Sequence, residues 1–315
     1  MTKEEQFSFQ SKDGKTTIHA VKWIPEGGQY KAVLQIVHGM VEYIERYRPF
    51  AEYMNEQGFL VVGHDHLGHG GSVTSQEEWG FIADVEHPSD VLVSDMHKLR
   101  KIVQGENPKI PYFMLGHSMG SYMLRKYLCR HNKKLAGAVI MGTGREADIT
   151  TKLGLTICKI MASIRGWHYR SKLMQSLSYS KPYKQYDLYG KDLSNSWLTK
   201  DEDIVRAYYN EPRCTFLFTL NGYRALLEAV YYDNQMENIQ KVPQELPLLF
   251  VSGADDPVGN MGMGVKRVYS MYKLARMKDI TYKLYEGDRH EILNELDRKQ
   301  VYADINAWLS VRVES

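Results

Sequence analysis

Gly116-His117-Ser118-Met119-Gly120 constrains this chain more than any other stretch, because of what flanks it. Pro111-Tyr112-Phe113-Met114-Leu115 precedes it, a short unbroken apolar run of the kind a buried strand shows. After it, Met119, Met123 and Tyr127 recur every four residues, which predicts a helix. A strand that becomes a helix within five residues must turn sharply, and a glycine at each end relieves the crowding. The central serine is then held above the sheet edge, at the positive end of the helix, where developing negative charge is favoured. A Gly-x-Ser-x-Gly pentapeptide in that setting presents a nucleophile.

The rest of the chain supplies the matching framework. Phe7 and Phe9 alternate with polar residues, Asp13-Gly14 offers a turn, and Thr17, His19, Val21 and Trp23 resume the alternation, as in a hairpin. Strand-like runs follow at 32–37, 60–62, 136–141, 246–251 and 280–285, and helical spacing at 43–57, 91–103, 261–275 and 297–309. Strands alternating with helices imply a mostly parallel sheet with helices on both faces. The alternation fails between residues 145 and 240, which carry helical signals but no buried strand. The predicted organisation is therefore an α/β core from 1–144 and 241–315 with a helical cap inserted at 145–240.

A serine nucleophile needs a base and an orienting acid, and in this architecture they follow it in the order acid, then histidine. The acid candidates are Asp255 and Asp256, just past a predicted strand; spacing after Gly253 favours Asp256. His290, beyond the next strand, is the candidate base among 11 histidines. His117 reads as a packing residue. The backbone N–H of Met119, next to the nucleophile, supplies one oxyanion donor, and the loop His38-Gly39-Met40 the other, through Met40 N–H. His64, His66 and His69 read as a loop held by hydrogen bonds rather than a metal site, since no carboxylate–histidine set at helical ligand spacing accompanies them.

Composition excludes other classes. Lys+Arg 40 against Asp+Glu 38 leaves a net charge of +2, which makes no electrostatic case for nucleic acid. No apolar run approaches the roughly 18 residues of a membrane-spanning helix. The opening MTKEEQFSFQ lacks the basic-then-apolar pattern of a secretion signal. Cys129, Cys158 and Cys214 are few and scattered, which argues against a disulfide framework and suits a reducing, cytoplasmic location. The oligomeric state is not legible.

Five stretches together, VHGMVEYIERY, DHLGHGGS, LGHSMGS, SGADDPVG and DRHEILNE, resemble the α/β-hydrolase superfamily, and more narrowly its monoacylglycerol lipase and lysophospholipase branch. The resemblance spans residues 30–310. It implies Ser118 as nucleophile, Asp256 as acid and His290 as base, with a helical cap at 145–240 and a structural loop at 65–72. It implies a serine hydrolase of lipid-type carboxylic esters, working without metal or organic cofactor.

Substrate residues are expected on the cap. Leu153, Ile157, Met161 and Ile164 share one helical face and would line an acyl tunnel or simply pack the cap onto the core. Phe216, Leu220, Tyr223, Leu227 and Val230 form a second stripe expected under the cap, with Tyr223 the candidate substrate contact. Lys152, Lys159, Arg165 and Arg170 flank the first stripe; a solvated face is the simpler reading, and transient contact with an anionic lipid surface the functional one. A short-chain carboxylesterase, an aminopeptidase of the same fold and a non-catalytic ligand-binding protein are the competing readings. A dehalogenase or epoxide hydrolase needs aspartate where Ser118 stands.

Overall fold

Eight strands make one sheet in the order β1 (Lys3–Gln10), β2 (Thr17–Ile24), β4 (Phe59–His64), β3 (Ala32–Val37), β5 (Tyr112–His117), β6 (Gly137–Met141), β7 (Leu248–Gly253) and β8 (Ile280–Tyr285). The computed structural model describes residues 2–180 and 182–313. β1 and β2 form the expected hairpin, β2 meets β4 antiparallel, and every pairing from β4 through β8 is parallel. The parallel strands at the centre are buried along their whole length, which is why they read as unbroken apolar runs.

Each central strand divides its side chains between two cores. Val33, Val37, Tyr112 and Met114 pack on one face with α2 (Pro88–Glu106), α3 (Met119–Arg130) and α9 (Met263–Leu274). Leu34, Ile36, Phe113 and Leu115 pack on the other with α1 (Arg48–Glu56) and α10 (Arg298–Val311). The helix expected over 43–57 is split into a 3₁₀ turn at Ile44–Tyr47 and then α1. Pro49 accounts for the break: it has no N–H to give and suits a first helical turn.

Between β6 and β7 the described residues add no strand to the sheet, as the sequence leads one to expect. They form α4 (Asp148–Arg165), α5 (Lys172–Ser178), α6 (Glu202–Asn210), α7 (Leu220–Asp233) and α8 (Met236–Ile239). α4 lies so close along α7 that a Cβ on Gly154 would stand 3.0 Å from Leu227 Cδ1. α7 is stitched to the core by Asn221, which accepts from Ile82 N–H and Ala83 N–H and donates to Ala83 O.

Candidate active site

β5 ends on the sharp turn read from the sequence. Ser118 has φ 53° and ψ −122°, a strained conformation for a residue with a side chain. The flanking glycines are required by space: a Cβ on Gly116 would come within 2.5 Å of Gly120 O, and one on Gly120 would collide with Val37 O. Ser118 N–H donates to Met141 O, which ties the turn to β6. The loop after β3 presses against the same serine, since a Cβ on Gly39 would stand 3.0 Å from Ser118 Cβ. Met40, the expected second oxyanion donor, is the next residue, and Met119 opens α3.

Of the two acid candidates, Asp256 meets the histidine. Its Oδ1 lies 3.0 Å from His290 Nδ1 and also accepts from Val258 N–H, while Oδ2 accepts from Ser252 Oγ–H. Burial alone would push this carboxyl up, but His290, Ser252 and Val258 together hold it below the usual carboxylate range. Asp255 contributes main chain only: its N–H donates to Asp288 O and its carbonyl accepts from Tyr186 Oη–H. The His290 ring sits 4.6 Å, centroid to centroid, from that of His117, the residue before Ser118. A Cβ on Gly142, at the end of β6, would stand 3.1 Å from His290 Cε1. The tips of β5, β6 and β7 and the loop after β8 thus converge.

Beneath this group lies a buried ionic network that sequence reasoning missed. Glu42 Oε1 accepts from Gly39 N–H and Tyr47 Oη–H, and Glu42 Oε2 from Arg46 Nη1. Arg46 also grips both oxygens of Glu291, the residue after His290. His117 is a member of this network and not the packing residue expected. Its Nδ1 faces Tyr47 Oη at 3.0 Å and Glu42 at 3.3 Å, and its Nε2 faces the His290 carbonyl at 3.2 Å. Tyr47 spends its proton on Glu42, so His117 meets acceptors at both nitrogens, an arrangement that suits the imidazolium. Burial opposes that charge, but Glu42 outweighs it and raises the His117 midpoint. The spacing Glu42-x-x-x-Arg46 and the Glu291 beside His290 were the sequence signals available.

The 64–69 loop combines the expected hydrogen bonds with close ring packing. His38, His64, His66 and His69 are all buried and pack ring on ring, with His38 and His66 centroids 4.4 Å apart. Among the described residues neither ring nitrogen of His64 or His66 has a hydrogen-bond partner, yet the loop is hydrogen-bonded as expected: His66 N–H donates to His38 Nε2, His69 N–H to His66 O, and His69 Nδ1 lies 3.0 Å from Leu67 O. The one cluster of three metal-capable side chains among the described residues is elsewhere, at His19, Glu45 and Asp65. There Asp65 already accepts from Ile44 N–H and Gly71 N–H and lies 3.0 Å from His19, which makes it a loop brace.

The expected inward stripe on α4 is corrected. Ile157 and Met161 pack against the core, but Leu153 is 60% exposed and Ile164 75%. α4 buries Thr151, Cys158 and Ala162 instead, because these smaller side chains permit its close approach to α7. Tyr223 is buried on α7, edge-on to Phe218. Arg170 donates to Glu77 O and Trp79 O and so is no part of a free basic face.

A family profile described as serine aminopeptidase, S33 matches residues 28–297. A monoacylglycerol lipase of Mycolicibacterium smegmatis is 25% identical over 96% of each chain. A monoglyceride lipase of Homo sapiens is 26% identical, covering 92% of this chain and 86% of its own. Among solved structures, a thermostable carboxyl esterase from Bacillus coagulans in complex with glycerol superposes with a TM-score of 0.88 at 30% identity, covering 98% of this chain and 99% of its own.

Proposed function

The chain belongs to the serine aminopeptidase S33 family and is a carboxylic ester hydrolase of the α/β-hydrolase fold; from that premise we propose that Ser118, His290 and Asp256 cleave lipid esters of the monoacylglycerol or lysophospholipid type through an acyl-serine intermediate. The observation that carries the reading is the buried His290–Asp256 bond at the mouth of a strained serine turn.

Ser118 Oγ attacks the ester carbonyl as His290 Nε2 takes its proton. Asp256 holds Nδ1–H, which fixes the tautomer and supports the imidazolium that forms. Met40 and Met119 N–H groups receive the oxyanion. The imidazolium protonates the departing alcohol, leaving acyl-Ser118. His290 then draws a proton from water as the water oxygen attacks the acyl carbon, and returns it to Ser118 Oγ as the acyl–Oγ bond breaks and the fatty acid leaves. No step calls for a metal or organic cofactor.

Residues 145–240 act in this reading as a cap that receives the acyl chain, with Ile157, Met161 and Tyr223 nearest the core. The outer side of the cap would meet the lipid. Ile149, Leu153, Ile160 and Ile164 on α4, with Leu173 and Leu177 on α5, are all exposed, among the exposed cations Lys152, Lys159 and Arg165. An apolar ridge set in positive charge fits an anionic membrane surface. A cytoplasmic location belongs to the same reading, since all three cysteines are unpaired and buried.

Labelling with a fluorophosphonate tests the nucleophile without assuming a substrate. The wild type is labelled at one serine and Ser118→Ala is not; labelling retained in that variant sinks the assignment. Rates on glycerol esters of C4 to C18 acids test the substrate class, and a steep preference for C4 would favour a short-chain esterase. Proline amides turned over faster than esters would favour an aminopeptidase.

A further inference from the structure

Trp197 belongs to the insertion between β6 and β7, yet its indole lies on the imidazole of His290. The ring centroids are 5.2 Å apart and the planes 26° from parallel. The backbone enforces the pairing. His290 N–H donates to Trp197 O at 3.4 Å and Glu291 N–H to Leu198 O at 2.7 Å. Arg289, just before the histidine, donates to the carbonyls of Ser194, Ser196 and Thr199. Lys200 closes the seam on Asp288 at 2.8 Å. The indole is itself boxed: Tyr179 and Tyr183 stand edge-on to it at 5.9 and 5.5 Å.

We propose that Trp197 is a positioning residue for the base, a π-face held against His290 that favours its protonated form and is delivered by the inserted segment rather than by the core. The inference rests on the reading of His290 as the base. In that reaction the imidazole becomes cationic once in acylation and once in deacylation. The face of an indole attracts a cation through its quadrupole, an attraction added to the stacking that a neutral ring already gives. The contact therefore strengthens as charge develops, which is what an interaction must do to raise kcat. It also fixes the ring plane, complementing Asp256, which fixes its rotation in that plane.

Other charged or titratable groups face the same imidazole. Asp256 comes from the loop after β7 and His117 from the end of β5, while Tyr183 of the insertion stands behind the indole. Glu291, with Arg46 behind it, and Asp288, with Lys200, flank His290 in its own loop. None of these is altered when Trp197 is replaced, so a change in the pH profile reports the indole.

The test compares the wild type with Trp197→Leu, Trp197→Phe and His290→Gln, reading kcat and KM on a water-soluble p-nitrophenyl ester from pH 5 to 9, and intrinsic fluorescence over the same range. Trp197→Leu lowers kcat about 3- to 30-fold with KM within about twofold, and its acid limb moves to lower pH. The direction discriminates: a variant that merely opened the site to water would relieve burial of the imidazolium and move that limb upward. Trp197→Phe keeps an aromatic face and returns most of kcat. In fluorescence, the wild-type minus Trp197→Phe difference shows acid quenching by protonated His290, and His290→Gln abolishes it. Quenching unchanged in His290→Gln, or Trp197→Leu with wild-type kcat and limb, overturns the proposal. His290→Gln with full esterase activity overturns the base assignment and this inference with it. Loss of activity there, with no effect of Trp197→Leu, overturns the role of Trp197 alone.

Discussion

Arg125 on α3 reaches Asp233 at the end of α7, Nε to Oδ2 3.7 Å, and both side chains are sealed from solvent. The same guanidinium donates to Thr143 Oγ, Gly144 O and Asp233 O. One side chain thus joins the helix behind the nucleophile to the residues where the chain leaves β6 and to the end of α7 within the insertion.

That arrangement predicts strong coupling. Burial pushes the Asp233 carboxyl up to about 8, and Arg125 is the first-ranked group opposing it. Arg125→Met strips Thr143 Oγ, Gly144 O and Asp233 O of their buried donor and drives the carboxyl further toward its neutral form, and it lowers unfolding free energy by about 3–5 kcal/mol. Arg125→Met/Asp233→Leu also removes the buried acid and recovers only the share of that loss owed to the carboxyl, since the Thr143, Gly144 and Asp233 main-chain acceptors stay without their donor. Urea unfolding of the two singles and the double closes the cycle; a double variant no more stable than Arg125→Met would show that the pair is not the source.

Asp256→Asn keeps the shape of the acid but offers His290 the wrong hydrogen-bond partner, and kcat is expected to fall about 10⁴-fold. Asp255→Asn changes a side chain whose main chain does the holding, so kcat stays within a few-fold. Rates of the two variants on one ester decide the matter, and the reverse ranking would place the acid at the wrong aspartate.

The two predictions draw on different depths of the sequence. The candidates Ser118 and Asp256 are legible because each follows a buried strand, and His290 because it comes after the edge strand β8 in the chain order the reading requires. Arg125 and Asp233 are not, since each reads as an ordinary helical residue and 108 positions separate them. Trp197 has no local signal either; its partner is the loop after β8. On α4 the periodicity shows that an apolar stripe exists, but it cannot say which side meets protein. The small residues Gly154, Cys158 and Ala162 decide that, by letting α7 come close and turning Leu153 and Ile164 outward.

Glu42 is the hinge of the network under the oxyanion loop, and its removal acts twice. Glu42→Ala leaves Gly39 N–H without its carboxylate and Arg46 with Glu291 alone. Stability falls by about 3–5 kcal/mol, and a shift of the Met40 donor by about 1 Å lowers kcat about 10²-fold. Glu42→Gln keeps an acceptor for Gly39 and loses less of both. It also removes the strongest group opposing burial at His117, leaving Glu291 and the His290 carbonyl, and the His117 midpoint drops. Titration of the His117 ring nitrogens by ¹⁵N NMR reads this directly, and a midpoint unmoved in Glu42→Gln would detach His117 from Glu42.

The histidine cluster makes the fold labile to acid. Burial holds His38 near 3 and His69 near 4, and drives His64 and His66 well below the ordinary range. In the unfolded chain each titrates near about 6.5. Above that pH both states are neutral here and stability is complete. Below it the unfolded chain binds up to four protons that the folded chain refuses, so stability falls with acid at about 1.4 kcal/mol per pH unit per histidine. Four together approach about 5.6 kcal/mol per unit, enough to exhaust a typical domain's 5–15 kcal/mol within about one to three units. His66 is the residue to change, because both its ring nitrogens are unpartnered and its ring packs against His38, His64 and His69. His66→Phe keeps the aromatic packing and removes one proton from the balance. Urea midpoints at pH 8, 7, 6 and 5 should then decline less steeply than in the wild type, by about 1.4 kcal/mol per unit below pH 6.5. Parallel declines in the two proteins would mean that the cluster is not what acid attacks.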